Sequence, residues 1–171
     1  MGESRGGRPR RAGGVSSGTR HTSRRAGRRL ALEAIFEADF GQRTALSALE
    51  RRLAETAPSA EASAHAHDLV AVIVAHRPAI DQRIHAAAPV FPVTQLARID
   101  RALLRSAIGE LLHCPATPAR VAIAEWVALA REYSGEPARR LLNGVLGSIS
   151  AQETGYAGDP PPTRSEPERG D

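Results

Sequence analysis

Arg24, Arg25, Arg28 and Arg29 crowd into six consecutive positions and are the residues of this chain best suited to chemistry. A guanidinium offers a fork of N–H donors that fits a phosphate, and a flat face that stacks on an unpaired base. Five more arginines, Arg5, Arg8, Arg10, Arg11 and Arg20, precede them. Nine of the 23 basic residues therefore lie in the first 29 positions, against one acid, Glu3, and no lysine occurs anywhere. Residues 30–152 are nearly neutral, and the last stretch, 153–171, is acidic. A basic arm on a neutral body reads as a handle for a polyanion. Cations at a helix N-terminus are slightly unfavourable through the dipole, by a few tenths of about 1 kcal/mol, so their clustering there points to use rather than stability.

Other reactive residue types do not assemble into a site. His65 and His67 stand two apart, which on a helix points them about 200° from each other and rules out a shared metal ion. Cys114 has no sequence partner that would make it a nucleophile, and one cysteine cannot form an intramolecular disulfide. That thiol count fits a reducing cytoplasm. No Gly-rich phosphate loop, GxSxG elbow or paired acidic motif is present, and no cofactor is expected. No apolar run reaches the roughly 18–20 residues of a membrane span, and no apolar segment follows the N-terminal charges as a secretory signal requires. Asn143-Gly144 interrupts an apolar helical pattern at a cost of about 1 kcal/mol relative to Ala. Close packing with Asn143 bonded to a neighbouring helix accounts for it most simply; a backbone approached by a ligand is the alternative. Glu125 reads as a structural hydrogen-bonding partner.

The elements that must position these residues are helical throughout. Residues 1–21 and 153–171 carry too little apolar surface to offset ordering and read as a disordered arm and tail. Between them the spacing predicts an all-α fold of about seven helices. The first is capped by Thr22 or Ser23, with Leu32, Ile35, Phe36 and Phe40 inward. Thr44 caps the second, with Leu46, Leu49 and Leu53 inward. A third covers 61–76 with Leu69, Val70, Ile73 and Val74, and Pro78 opens a fourth. A connector at 90–93 divides two subdomains, 22–88 and 89–152. The strongest stripe then follows, Leu96, Ile99, Leu103, Leu104, Ile108, Leu111 and Leu112. Thr117 caps the next helix with Pro118 at its first position, Ser134-Gly135 stops it, and Leu141, Leu142, Val145, Leu146 and Ile149 line the last.

Four segments resemble one family in order. Arg98-Ile99-Asp100-Arg101-Ala102-Leu103-Leu104-Arg105 with Glu110-Leu111 is similar to the fifth-helix signature of the transcription antitermination factor NusB family. Thr117 to Glu125 with Ala128-Leu129-Ala130-Arg131 resembles its next helix, and Leu141-Leu142-Asn143-Gly144-Val145-Leu146 its final motif. Arg24 to Phe36 resembles the arginine-rich opening of its first helix. The resemblance implies two three-helix subdomains and no catalysis. It implies binding of boxA-type single-stranded RNA together with the ribosomal protein NusE, within antitermination complexes on RNA polymerase during ribosomal RNA synthesis. The chain departs from the family pattern at Gly109, where an aromatic is usual, at Ala124, where Asn is usual, and at Leu141, where Phe is usual.

On these grounds Arg24, Arg25, Arg28 and Arg29 are expected to contact RNA, with Arg105 extending the track. Arg101 and Glu110 are expected on a partner face, built partly from helices four and five. The competing readings are a protein-only scaffold that forms a homodimer, a NusB-like module cut from an RNA methyltransferase, and an imported protein whose arm is a transit peptide.

Overall fold

The computed structural model describes residues 17–89 and 92–153. The arm up to residue 16 and the tail from residue 154 lie outside the described residues. Six α-helices and one short 3-10 turn make up the described chain: α1 (Ser17–Ala38), α2 (Ala45–Thr56), α3 (Ala60–Ala87), the turn Val93–Gln95, α4 (Arg98–His113), α5 (Ala119–Ser134) and α6 (Glu136–Glu153). No strand occurs among the described residues.

Sequence signals explain most boundaries. Thr44 caps α2, its hydroxyl oxygen accepting from the Ser47 N–H at 3.1 Å, and Ser59 caps α3 in the same way on Ala62. Gly135, at φ 91°, closes α5 in a backbone conformation that side chains disfavour. Three boundaries differ from expectation. Pro118 rather than Thr117 takes the N-cap position of α5, and no side chain caps that helix. α1 starts upstream of Thr22, whose hydroxyl donates to the Gly18 carbonyl, so residues 17–21 are helical rather than part of a disordered arm.

Pro78 does not start a new helix. It lies inside α3, which merges the expected third and fourth helices and reduces seven to six. A proline inside a helix costs about 3 kcal/mol. Ile73 before it and Ile80 and Ile84 after it are fully buried, at about 1.5–3 kcal/mol each, and one continuous helix keeps all three in the core.

One core runs through all six helices. α1 lies along α3, α3 along α4, and α5 against α6, so the halves α1–α3 and α4–α6 share apolar side chains. Small residues permit two close crossings. A Cβ on Gly27 would stand 2.8 Å from the Ala62 carbonyl oxygen, so α1 can approach α3 only through glycine. A Cβ on Gly109 would stand 2.8 Å from Ile73 Cγ1, and Ile73 fills the space that a larger residue at 109 would take. Gly144 behaves differently. A Cβ there would meet nothing within 4 Å, and Asn143 and Gly144 are both exposed. Tight packing is therefore not the reason for this pair. Phe40, Leu46 and Val74, expected inward, are half exposed instead.

Candidate nucleic-acid interface

The arginine cluster lies in the middle of α1, not at its N-terminus as expected, and projects cations on two sides. Inward lies Arg28, 1% exposed, in the space between α1 and α4. Its Nε and Nη2 donate to the two oxygens of the Glu110 carboxylate at 2.8 and 2.7 Å. Trp126 Nε1 on α5 donates to the same carboxylate at 2.6 Å, and His65 Nε2 on α3 stands 3.5 Å from it. Burial alone would raise the Glu110 carboxyl. The forked Arg28 bonds and charge, with the indole donor, outweigh burial and hold it below the ordinary carboxylate range. Burial, with Arg28 and Arg24 nearby, pushes the His65 imidazolium down despite Glu110, so this histidine favours its neutral form.

Outward lie Arg24, Arg25 and Arg29. Arg25 Nη1 stands 3.4 Å from Glu125, and Arg29 pairs with Glu132 at 2.6 and 2.7 Å. His21 approaches Glu125 at 3.0 Å. Arg24 differs from these. Its Nη1 reaches the Thr117 hydroxyl at 3.5 Å, and it has no carboxylate partner among the described residues. It also stands where two concavities meet. One, of about 400 Å³, runs past His65, Asp68, His113, Cys114 and Thr117. The other, of about 360 Å³, is lined by Arg20, His21, Arg24 and Ala116. Arg24 and Ala116 line both, so the two form one groove between α1 and the α4–α5 loop. The N-terminus of α5 opens beside it with no side-chain cap, and Arg120 stands exposed in its first turn. Uncapped N–H groups and the positive end of a helix dipole favour an anion.

Several sequence-predicted site residues lie elsewhere. Arg28 and Glu110 are buried against each other, so the expected RNA contact and partner contact give way to a structural ion pair. Arg105, 5% exposed, donates from Nε and Nη2 to Asp81 at 2.7 and 2.9 Å and from Nη1 to Asp39 at 2.9 Å. It holds α4 to α3 and to the end of α1, and does not extend a surface track. Arg101 joins the same knot through Asp39 at 2.8 Å. Helical spacing puts Arg101 and Arg105 on one face, as expected; the acids that bury that face, Asp39 and Asp81, come from remote segments.

The histidine pair separates as its spacing requires. His67 turns to Glu50 at 2.8 Å and to the Ser63 carbonyl, whereas His65 faces Glu110. Burial, with Glu110 and Asp68 nearby, pushes the Cys114 thiol up to about 11, which leaves it a poor nucleophile at neutral pH. Two residues that the sequence did not assign to the site matter here: Thr117, read only as a helix start, on the groove wall, and Glu132 against Arg29. The seven-residue spacing of Glu125 and Glu132, which sets both on one face of α5, is the signal that points to the latter.

The fold has counterparts among known proteins. A profile of the NusB family matches residues 25–151. A transcription antitermination protein NusB from Dehalococcoides mccartyi (strain ATCC BAA-2266 / KCTC 15142 / 195) is 40% identical over 129 residues, 75% of this chain and 90% of that protein. The protein of the same name from Chloroflexus aggregans is 39% identical over 121 residues, 70% of this chain and 81% of its own. Among solved structures, T. maritima NusB superposes with a TM-score of 0.70 at 28% identity, over 75% of this chain and 91% of that one. A crystal structure of the antitermination factors NusB and NusE in complex with dsRNA gives the same TM-score at 23% identity, over 77% of this chain and 98% of that one, and attests the fold. A profile spanning nearly the whole described chain, with relatives at this identity, places this protein in the NusB family.

Proposed function

We propose that this chain is a non-catalytic transcription antitermination factor that binds boxA-type single-stranded RNA jointly with NusE and supports ribosomal RNA transcription. The observation that carries this reading is the groove at Arg24. A guanidinium with no carboxylate partner among the described residues meets an uncapped helix N-terminus there, beside further cations of α1. A phosphodiester strand fits such a surface: guanidinium and N–H donors take phosphate oxygens, and unpaired bases lie open to stacking. In this reading Arg24, Arg25 and Arg29 contact RNA, and Arg120 joins them.

NusE takes the opposite end of α1. Among the described residues, Phe40, Leu46 and Val74 are the exposed large apolar side chains, and the Arg98 guanidinium lies 4.3 Å over the Phe40 ring. Val74 also lines a cleft of about 230 Å³ with Ile35, Ala45 and Ile73. Apolar surface ringed by arginines suits a protein partner better than a phosphate backbone. Two modest surfaces joined in one complex multiply affinity through effective concentration. RNA polymerase enters through that complex, in the cytoplasm; no described helix is long and apolar enough to cross a membrane. The same apolar face is the one that a homodimer would use.

A gel-shift titration with boxA RNA and a scrambled RNA, each with and without NusE, tests the reading. Tighter binding to boxA, strengthened by NusE, is expected. Equal weak binding to both RNAs, unmoved by NusE, overturns it. Sedimentation of the chain alone reads the homodimer.

A further inference from the structure

Two carboxylates of α5 face the cations of α1, and they sit in different surroundings. Glu125 is 10% exposed and lies 3.7 Å from the buried Arg28 as well as 3.4 Å from Arg25, so it belongs to the interior network. Glu132 is 40% exposed and opens to water. Its oxygens stand 2.6 and 2.7 Å from the two terminal nitrogens of Arg29 and 3.7 Å from Arg25. Arg29 is equally exposed. An ion pair this open to solvent contributes little to folding, because water screens it and two long side chains must be ordered to make it. Its effect on a ligand is larger. The forked contact from Glu132 uses the same pair of donors that a phosphate would take, and its charge repels an approaching phosphate.

We propose that Glu132 is a built-in competitor for the RNA backbone, holding Arg29 and part of Arg25 closed to phosphate until the strand displaces it. The inference rests on the RNA reading above and adds to it a residue that sets affinity without touching RNA. Among Arg24, Arg25 and Arg29, only Arg24 has no carboxylate partner among the described residues; it lines the groove instead. Binding begins at Arg24 and spreads to Arg29 as phosphate replaces carboxylate.

The test is a binding titration of the full chain with a single-stranded boxA-type RNA across a salt series. The variants are Glu132→Gln, the charge-matched control Glu153→Gln at the far end of α6, and Glu132→Gln combined with Arg29→Gln. Glu132→Gln is expected to bind roughly two- to fivefold tighter than Glu153→Gln at low salt, the range of one exposed pair. Its salt slope steepens by up to about 0.7, the value for one more neutralised phosphate on a single strand. Removing Arg29 as well cancels the gain, as coupled neighbours require. If Glu132→Gln matches the control, or binds more weakly than the wild type because the carboxylate positions Arg29, the proposal is overturned while the RNA reading stands. If the wild type binds no RNA under any salt, both fall.

Discussion

Arg28 on α1 and Glu110 on α4 meet in the interior through two parallel N–H···O bonds of 2.8 and 2.7 Å, with exposures of 1% and 0%. Trp126 from α5 completes the carboxylate's coordination. Three helices are thereby fixed to one buried acid, and the outward arginines of α1 inherit their positions from it. Removing one partner strands the other charge in a dry interior, which costs about 3–5 kcal/mol. Arg28→Ala is therefore expected to lower the unfolding free energy read from urea titration by that much, whereas Arg24→Ala leaves it unchanged within about 0.5 kcal/mol. Equal midpoints for the two variants would contradict the buried pair.

Stability should follow pH through the same carboxylate. The folded chain holds Glu110 below its ordinary range, because Arg28 and Trp126 outweigh burial. A depressed folded pKa means that the stabilisation is fully present above the unfolded value, near about 4.3, and is lost as pH falls through the lower folded value. Urea unfolding at pH 7 and at successively lower pH is expected to show this loss. Glu110→Gln, less stable at pH 7, should lose less on acidification than the wild type. Parallel pH curves for the two would assign acid unfolding to other groups.

The glycines of the two ends should respond in opposite directions. Gly27→Ala drives a methyl to 2.8 Å from the Ala62 backbone oxygen, which cannot rotate away, and is expected to destabilise by roughly 1–3 kcal/mol. Gly144→Ala meets open space in the middle of α6 and is expected to stabilise by up to about 1 kcal/mol through helix propensity. Thermal melts of the two variants read both signs. If Gly144→Ala also weakens RNA binding, that exposed backbone belongs to the interface.

What could be read from the sequence, and what could not, divides along physical lines. Periodicity and caps gave the helices because they are local: Thr44 and Gly135 do in the fold what their types predict. Pro78 misled because burial of Ile80 and Ile84, a tertiary effect, overrides a local breaker. Arginine clustering singled out one stretch of α1 but could not sort its members. Helical spacing shows that Arg28 and Arg25 point in different directions, yet only the partners Glu110 and Glu132, 82 and over 100 residues away, decide which is buried and which is open. Arg105 was misplaced for the same reason, since Asp39 and Asp81 lie on other helices or turns.

Arg24 and Arg25 should separate RNA binding from folding. Both are partly exposed: Arg24 has no carboxylate partner among the described residues, and Arg25 touches the buried network only at its edge, through Glu125. Arg24→Ala with Arg25→Ala is expected to weaken binding to boxA-type RNA while far-UV circular dichroism and the melting temperature stay close to wild type. Each lost phosphate contact should flatten the salt slope by about 0.7, so the double variant reads out near twice that if both arginines reach phosphate. Arg25 starts partly closed by Glu125 at 3.4 Å, so Arg24→Ala alone should account for the larger share. An unchanged slope with helicity intact would move the RNA off this groove and leave the uncapped start of α5 without a ligand.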